Sequence, residues 1–296
     1  MFECPAAERE PPDAGIRSDA EQAMKRLINI RPGPRIRLLM GVAPLFLAIL
    51  AYIVISGAQY AANPAEKILP TIGAMGDQIA ALAFKPDAQT GGYVLWQDTG
   101  ASLARLGAGL AIATLSSLLA GLVLGLLPTV RAGFGPFVAA ISVIPPIAIL
   151  PILFISFGLG ETAKVLLIVL GVAPVMIRDL ASYTAALPSE QVVKAETLGA
   201  STWQIALRVA LPQLAPRLIQ CLRLSLGPAF VFLISAEAIA SDVGLGYRVF
   251  LVRRYLAMDV ILPYVAWIAL LAVSFDFVLV QVSRRAFPWA HAERGH

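Results

Sequence analysis

Charged residues are scarce in this chain. Only 14% of its 296 residues are Asp, Glu, Lys or Arg, whereas 58% are hydrophobic. The mean hydropathy is +0.77. Soluble domains carry roughly one quarter charged residues, so this balance excludes an ordinary water-soluble enzyme or binding domain. The sequence therefore predicts an integral membrane protein.

Cysteine and histidine are also scarce. The two cysteines, Cys4 and Cys221, provide neither a disulfide framework nor a CxxC pair, and both histidines, His291 and His296, lie in the C-terminal tail. These counts disfavour a His/Cys metal site, and no metal is predicted. The sequence also lacks the GxSxG, HExxH and GxxxxGK[ST] motifs. We therefore predict a chain that is not an enzyme and binds no cofactor itself.

Long apolar runs, in contrast, are abundant. A bilayer core requires about 20 apolar residues per helix. Six runs meet this length, at residues 38–57, 101–127, 136–157, 162–181, 216–240 and 262–283. We therefore predict an all-α membrane protein with about six transmembrane helices.

The positive charges predict how these spans are oriented. Basic residues directly precede the first span, which favours a cytoplasmic N-terminus, and six spans return the C-terminus to the same side. We interpret the net charge of +4 as this topological bias, and no nucleic acid is predicted as a partner. The predicted parts are a cytoplasmic tail (1–37), a first transmembrane helix (38–57), a periplasmic segment (58–100), a core transmembrane domain (101–285) and a cytoplasmic C-terminal tail (286–296).

The periplasmic segment contains a second, shorter apolar pattern. Ile72, Met75, Ile79, Leu82 and Ala83 recur at helical spacing. This pattern predicts an amphipathic helix that either lies on the membrane surface or packs on the outer ends of the spans.

Prolines and a carboxylate mark the predicted interior. Pro145, Pro146 and Pro151 each remove a backbone donor from the third span, and freed backbone groups require protein or a water-filled cavity around them. These prolines indicate a helix that lines the translocation path, or a kinked structural helix. Glu237, in the outer half of the fifth span, is either a residue of the translocation path or half of an ion pair; Arg105 also lies in the outer half of its span.

Small residues in the second span predict close helix packing. Gly121 and Gly125 match the small-xxx-small pattern, and Gly107 and Gly109 precede them.

A polar stretch between the fourth and fifth spans stands apart from the rest of the core. Residues 188–212 include "VKAETLGASTWQIALRVALP", which predicts a short helix capped by Ser189, a stop at Gly199, and a second helix from Ser201 to about Pro212. Two short helices joined at a glycine form a compact unit with apolar residues available to a partner. A solvated connection would need no such structure.

At these residues the chain resembles the membrane subunits of bacterial ATP-binding cassette importers. Their cytoplasmic loop carries the motif EAA, three residues, Gly, nine residues and Ile-x-Leu-Pro. Gly199, Val209, Leu211 and Pro212 fall at the matching spacing, and Ala195 keeps the second alanine. Val193 and Lys194 depart from the expected Glu and first Ala. Residues 90–285 further resemble the nitrate, sulfonate, taurine and bicarbonate branch.

The resemblance implies a type I permease fold, in which residues 188–212 form a loop that docks on a separate P-loop ATPase subunit. That subunit would bind ATP and Mg. A periplasmic binding protein would deliver a small solute, and a second copy of the chain would complete the path in the bacterial inner membrane. The contacts implied for the ATPase are Ala195, Leu198, Gly199, Ala200, Trp203, Val209, Leu211 and Pro212, and those for the binding protein are Arg248, Arg253 and Arg254.

Two other functional classes remain as alternatives. An ion-coupled secondary carrier would use Glu237 and Asp276 as coupling carboxylates, but it leaves residues 188–212 unexplained. An intramembrane enzyme would require a catalytic group set that the sequence does not show.

Overall fold

The computed structural model describes residues 33–62, 68–87 and 91–292, and these ranges contain helices and no strand. Most of the predicted N-terminal tail, two short stretches of the predicted periplasmic segment and the last four residues lie outside them. The described helices are α1 Pro34–Ala62, α2 Ile72–Phe84, α3 Val94–Leu126, α4 Pro128–Ile141, α5 Pro146–Phe157, α6 Glu161–Ala185, α7 Ser189–Thr197, α8 Thr202–Ile205, α9 Leu211–Ala240, α10 Leu245–Arg253, α11 Met258–Ala286 and α12 Trp289–Ala292.

The chain divides into two units, residues 1–62 and 63–296. In the first unit the structure describes α1, a 29-residue apolar helix that contains Pro44. Its length suffices to cross a bilayer at 1.5 Å per residue.

The second unit contains the remaining candidate spans. Helices α3, α6, α8–α9 and α11 are each long and apolar enough to cross a membrane, and α4 and α5 together form a broken span bent by 93°. With α1, the described residues provide five candidate spans, or six if the bent pair counts as one. The predicted all-α membrane fold is confirmed.

Helices α3 and α6 pack closely along each other. The Cα of Gly109 faces Ile168, that of Gly121 faces Leu180, and that of Gly125 faces Thr184; a Cβ added to these glycines would lie within 2.2–2.8 Å of the opposing side chain. Only glycine permits this approach, as the small-residue pattern predicts. Gly107, in contrast, has open space around it.

The core lies between α3, α6 and α9. Its fully buried side chains include Ile168, Met176, Leu180, Leu214 and Leu233. Three helices are therefore fixed to one another by apolar contacts over most of their length.

Helix α2 packs on the ends of other helices. Its Ala83 is buried against Leu95, Leu245 and Tyr264. Thr71 caps the helix by accepting a hydrogen bond from the Ala74 amide. Of the two interpretations of this amphipathic helix, packing on the spans is therefore the one observed.

Candidate functional site

Residues 188–212, the coupling loop, begin with α7. This helix starts at Ser189 after Pro188, so the expected cap at Ser189 is wrong by one residue. It ends at Thr197, and Gly199, two residues later, has a φ of +77°, in the left-handed region that favours glycine. The Gly199 amide donates to Glu196 and the Ala200 amide to Ala195, which closes the helix end. The helix–Gly–helix arrangement is thus present.

A capping box starts the second part of the coupling loop. The Ser201 hydroxyl accepts from the Gln204 amide, and the Gln204 side chain accepts from the Ser201 amide at 2.8 Å. These reciprocal bonds satisfy two amides at the start of the helix. Trp203 is thereby presented from an ordered first turn.

The prediction that the second helix ends near Pro212 is wrong. A π-helical turn, Ala206–Ala210, follows α8 and leads directly into α9. The Leu211 amide donates to Ala206, five residues earlier, and Pro212 lies in the first turn of α9. The residue without an N–H therefore lies at the junction of the π-helical turn and α9. The coupling loop is therefore continuous with a membrane-spanning helix.

Leu198 and Trp203 are the most exposed bulky apolar residues of the coupling loop. Leu198 is 87% exposed and Trp203 69% exposed, and they flank Gly199. The other implied ATPase contacts lie nearby: Gly199 and Pro212 are exposed, whereas Ala195, Ala200, Val209 and Leu211 are half-buried. Leu198 and Trp203 form an apolar patch in a polar segment, which suits a partner protein.

Polar contacts tie the coupling loop to the spans. The Gln213 amide of α9 donates to the Gln191 side chain of α7 at 2.8 Å. Further along α9, Arg217 binds Asp179 of α6 through both carboxylate oxygens, and the Cys221 thiol donates to the same carboxylate at 2.7 Å. A hydrogen bond thus connects α7 to α9, and an ion pair connects α9 to α6.

A cavity of about 410 Å³ lies at the bend between α4 and α5. Of the three prolines predicted to line the path, Pro145 and Pro146 line this cavity, whereas Pro151 lies inside α5 and outside the lining. Pro174 of α6 and Pro228 of α9 line the same cavity. The sequence interpretation missed these two because each lies singly within an otherwise regular apolar run.

Glu237 lies in a polar network at the other end of α3, α6 and α9 from the coupling loop. Its carboxylate is fully buried and accepts from Arg105 at 2.6 Å, from Ser102 at 2.7 Å and from the Gly246 amide at 2.8 Å. It does not line the cavity at the bend. Arg105 also binds Glu161, which in turn accepts from Lys164 at 2.9 Å. Each buried cation of this network therefore has an acidic partner.

Asp98 is a member of this network that sequence reasoning missed. Its buried carboxylate accepts from the Gly244 amide at 2.9 Å, from Arg248 at 2.8 Å and from the Tyr264 hydroxyl at 3.1 Å. The only signal in the sequence was an acid just before the predicted second span, whose observed helix begins earlier, at Val94. Asp98 thus lies inside the helix.

The three arginines expected to contact a binding protein have different surroundings. Arg248 donates a hydrogen bond to Asp98. Burial alone would lower the pKa of Arg248, but the hydrogen bond to Asp98 and the negative charge of Asp98 outweigh this effect. The pKa of Arg248 is therefore raised above its usual value. Arg253 and Arg254 are exposed at the end of α10, and the Arg253 guanidinium lies 4.9 Å from the centre of the Phe250 ring. Arg253 and Arg254 are thus the accessible pair.

The two carboxylates of the carrier alternative each have an arginine partner. Besides the Glu237–Arg105 pair, Asp276 accepts from Arg223 at 2.7 and 2.9 Å. In a proton or sodium carrier the coupling carboxylate must bind and release the ion, and an arginine partner disfavours this exchange. Among the described residues, no group of three or more His, Cys, Asp or Glu side chains is placed to hold a metal ion.

Comparison with known proteins agrees with this geometry. Residues 113–288, more than half of the chain, match the family model "Binding-protein-dependent transport system inner membrane component". The taurine transport system permease protein TauC of Escherichia coli is 39% identical over 200 residues, covering 67% of this chain and 72% of that protein. The nitrate import permease protein NrtB of Synechococcus elongatus is 25% identical over 193 residues, covering 63% and 68% of the two chains.

The fold has a counterpart among solved structures. A chain of the inward-facing MetNI methionine ABC transporter superposes with a TM-score of 0.58 at 18% identity, covering 65% of this chain and 96% of that one. The putative aliphatic sulfonates permease SsuC of Bacillus subtilis is 27% identical over 60% of this chain and 67% of its own length. The chain therefore belongs to the inner membrane components of binding-protein-dependent transport systems, the permease subunits of ABC importers.

Proposed function

We propose that this chain forms half of the translocation path of an ATP-driven importer in the bacterial inner membrane, with both termini in the cytoplasm. A second copy would supply the other half. The basic residues before α1 and Arg284 and Arg285 at the end of α11 support this orientation under the positive-inside rule. The coupling loop would then face the cytoplasm, and α10 the periplasm.

The observation that carries the proposal is the exposed apolar patch of Leu198 and Trp203. A P-loop ATPase subunit, which would bind ATP and Mg, would receive this patch in a groove, as amphipathic helices dock elsewhere. Because α8 runs without a break into α9, movement of the docked loop would turn a whole span. Rigid-body motion of this kind is a common way to couple two sites.

On the opposite face we propose that a periplasmic binding protein docks near Arg253 and Arg254. Their exposure supports this role, whereas Arg248 would act by holding α10 against Asp98. For Glu237, we propose that it stabilises the start of α10, because its carboxylate binds the Gly246 amide.

The cargo we propose is a small organic or inorganic anion. The relatives are named for taurine, aliphatic sulfonates and nitrate, each of which carries an anionic group, and the chain is 39% identical to the taurine permease.

The test is affinity purification of the tagged chain from its native host in mild detergent, with mass spectrometry of what remains bound. A P-loop ATPase in stoichiometric amount is expected with the wild type and is lost with Leu198→Asp. Tyr255→Asp is the matched control, because Tyr255 is 74% exposed at the other end of the unit. Equal ATPase retention by both variants, or no ATPase with the wild type, would refute the proposal.

A further inference from the structure

A second and smaller cavity, the arginine pocket, lies where α3 ends and α4 begins, against the C-terminal part of α6. Its lining residues are Leu124, Arg131, Gly135, Val138, Ile177, Arg178, Ala181 and Ser182. Gly125 at the end of α3 faces Thr184 at the end of α6, and the coupling loop follows α6, so the arginine pocket lies at the coupling-loop end of the spans. Its volume of about 180 Å³ is below the range of about 300–1,000 Å³ for whole small molecules and suits a single small group.

The end of α3 fixes Arg131 in the arginine pocket. Pro128 has no N–H to offer the Leu124 carbonyl four residues earlier, and the Arg131 Nε donates to this carbonyl at 2.9 Å instead. The Arg131 Nη2 donates to the next carbonyl, that of Gly125. A cation is favourable at the C-terminal end of a helix, whose last carbonyls lack amide partners. Because a guanidinium has five N–H donors, these bonds leave the others available to a ligand.

Helix α6 supplies a second guanidinium and a hydroxyl. The Arg178 Nη1 donates to the Ser142 hydroxyl at 2.8 Å, which is a neutral acceptor and leaves the charge of Arg178 uncompensated. Ser182 follows one turn later on the same face of α6, and its hydroxyl has no hydrogen-bond partner in the part of the chain that the structure describes. Arg131, Arg178 and Ser182 are all exposed, so a ligand can reach them from outside the protein.

The protein does not neutralise the two charges of the arginine pocket. No Asp or Glu lines it, and neither Arg131 nor Arg178 has an acidic partner among the described residues. Asp179, next to Arg178 in the chain, binds Arg217 and lines the cavity at the bend instead. Two cations that line one small pocket repel each other, and an anion between them would turn this repulsion into attraction.

The surroundings of the arginine pocket favour a lipid as the source of this anion. Phe134 and Phe137, which precede the lining residues Gly135 and Val138 on α4, are 62% and 61% exposed. Apolar side chains of this kind contact acyl chains, whereas arginines near the ends of spans lie at the depth of the headgroups. Basic pockets between membrane helices bind anionic headgroups, and guanidinium groups bind phosphate oxygens through paired N–H donors.

We propose that the arginine pocket binds the phosphate group of an anionic phospholipid in the leaflet on the coupling-loop side, which is the cytoplasmic leaflet in the orientation proposed above. Arg131 and Arg178 donate to the phosphate oxygens, and Ser182 adds a further hydrogen bond. The acyl chains lie along Phe134 and Phe137. The bound lipid thereby links the junction of α3 and α4 to the end of α6, next to the coupling loop, and it is a structural ligand rather than the cargo.

The test is native mass spectrometry of the full chain, purified in detergent with any subunit that stays bound, during titration with phosphatidylglycerol. Phosphatidylcholine, whose headgroup has no net charge, is the comparison lipid. The wild type is expected to bind one phosphatidylglycerol per chain at a lower concentration than phosphatidylcholine. Arg178→Gln should raise the half-saturating phosphatidylglycerol concentration about fivefold, the factor that one basic residue near an anionic lipid surface contributes. Arg254→Gln is the matched control, because Arg254 is also exposed but lies outside the arginine pocket.

A second variant separates lost binding from lost folding. Ser182→Asp keeps both arginines and breaks no side-chain hydrogen bond of the described residues, yet it places a negative charge in the arginine pocket. We expect it to melt like the wild type without added lipid and to bind phosphatidylglycerol at least fivefold more weakly.

Equal affinity for the two lipids, or unchanged phosphatidylglycerol binding by both Arg178→Gln and Ser182→Asp, would overturn the inference. Inorganic phosphate at the same concentration should not displace the lipid. Displacement would identify a soluble anion as the ligand and would overturn the lipid assignment. Retention of an ATPase subunit in the same spectra reports on the importer function separately.

Discussion

At the scale of single residues, the buried charges of the polar network are the most consequential feature. Glu237 and Arg105 are separated by 132 positions in the chain, yet their side chains are 2.6 Å apart and almost entirely buried. A charge at this depth costs several kcal/mol unless a partner compensates it. The sequence predicted that both residues lie in the outer halves of their spans, but not that they bind each other, because pairing depends on how α3 and α9 pack.

Removing one member of this pair should destabilise the protein strongly. Arg105→Ala leaves the Glu237 carboxylate buried without its cation, and we expect a loss of about 3–5 kcal/mol in the free energy of unfolding. Thermal unfolding in detergent measures this effect. Arg254→Ala, an exposed arginine, is the control and should change little. The double variant Arg105→Met/Glu237→Met should recover part of the loss; equal melting of Arg105→Ala and wild type would contradict the assignment.

Close backbone approach at Gly246 leads to a second prediction. A Cβ at Gly246 would lie 2.7 Å from the Ile234 carbonyl oxygen and 2.8 Å from its Cα, both of them backbone atoms that cannot rotate away. Gly246→Ala should therefore cost about 1–3 kcal/mol through displaced backbone. Gly227→Ala, where nothing lies within 4 Å, should be neutral or stabilising. The same melting experiment compares the two variants, and a neutral Gly246→Ala would show that the start of α10 can move away from α9 at little cost.

At the scale of elements, the helix–Gly–helix arrangement of the coupling loop was predicted from sequence, whereas its first cap and its end were not. Glycine at a helix end and serine at the start of the next helix are local signals, so α7, the turn and the start of α8 follow from them. The continuation of the second helix through Pro212 into α9 was not predictable, because a π-helical turn has no comparable sequence pattern. The bend of 93° between α4 and α5 was predictable only in part. The adjacent prolines indicated a break in the span, but the angle depends on contacts with α6.

The left-handed backbone at Gly199 predicts a graded series of variants. With φ at +77°, Gly199→Val is strained because a β-branched residue rarely adopts this conformation, whereas Gly199→Asn is better tolerated. We expect ATPase retention in the order Gly, Asn, Val in affinity purification. Reversal of the order of Asn and Val would show that the backbone conformation at this turn does not control docking.

At the scale of the whole molecule, composition and run length sufficed for the fold class. Scarce charge and long apolar runs predict a helical membrane protein, since a chain in lipid must satisfy its backbone within each helix. The cavity could not be predicted in this way. Its wall combines Pro146, Pro174 and Pro228 from three separate helices, and only their packing brings them together.

The measurement that tests the central claim most directly is solute uptake into proteoliposomes that contain this chain, with and without its ATPase subunit and binding protein. Labelled taurine should accumulate only with both partners and with ATP on the side of the coupling loop, and uptake should persist when ion gradients are dissipated. Uptake by this chain alone, driven by a proton or sodium gradient and abolished by Glu237→Gln or Asp276→Asn, would contradict the account and identify an ion-coupled carrier.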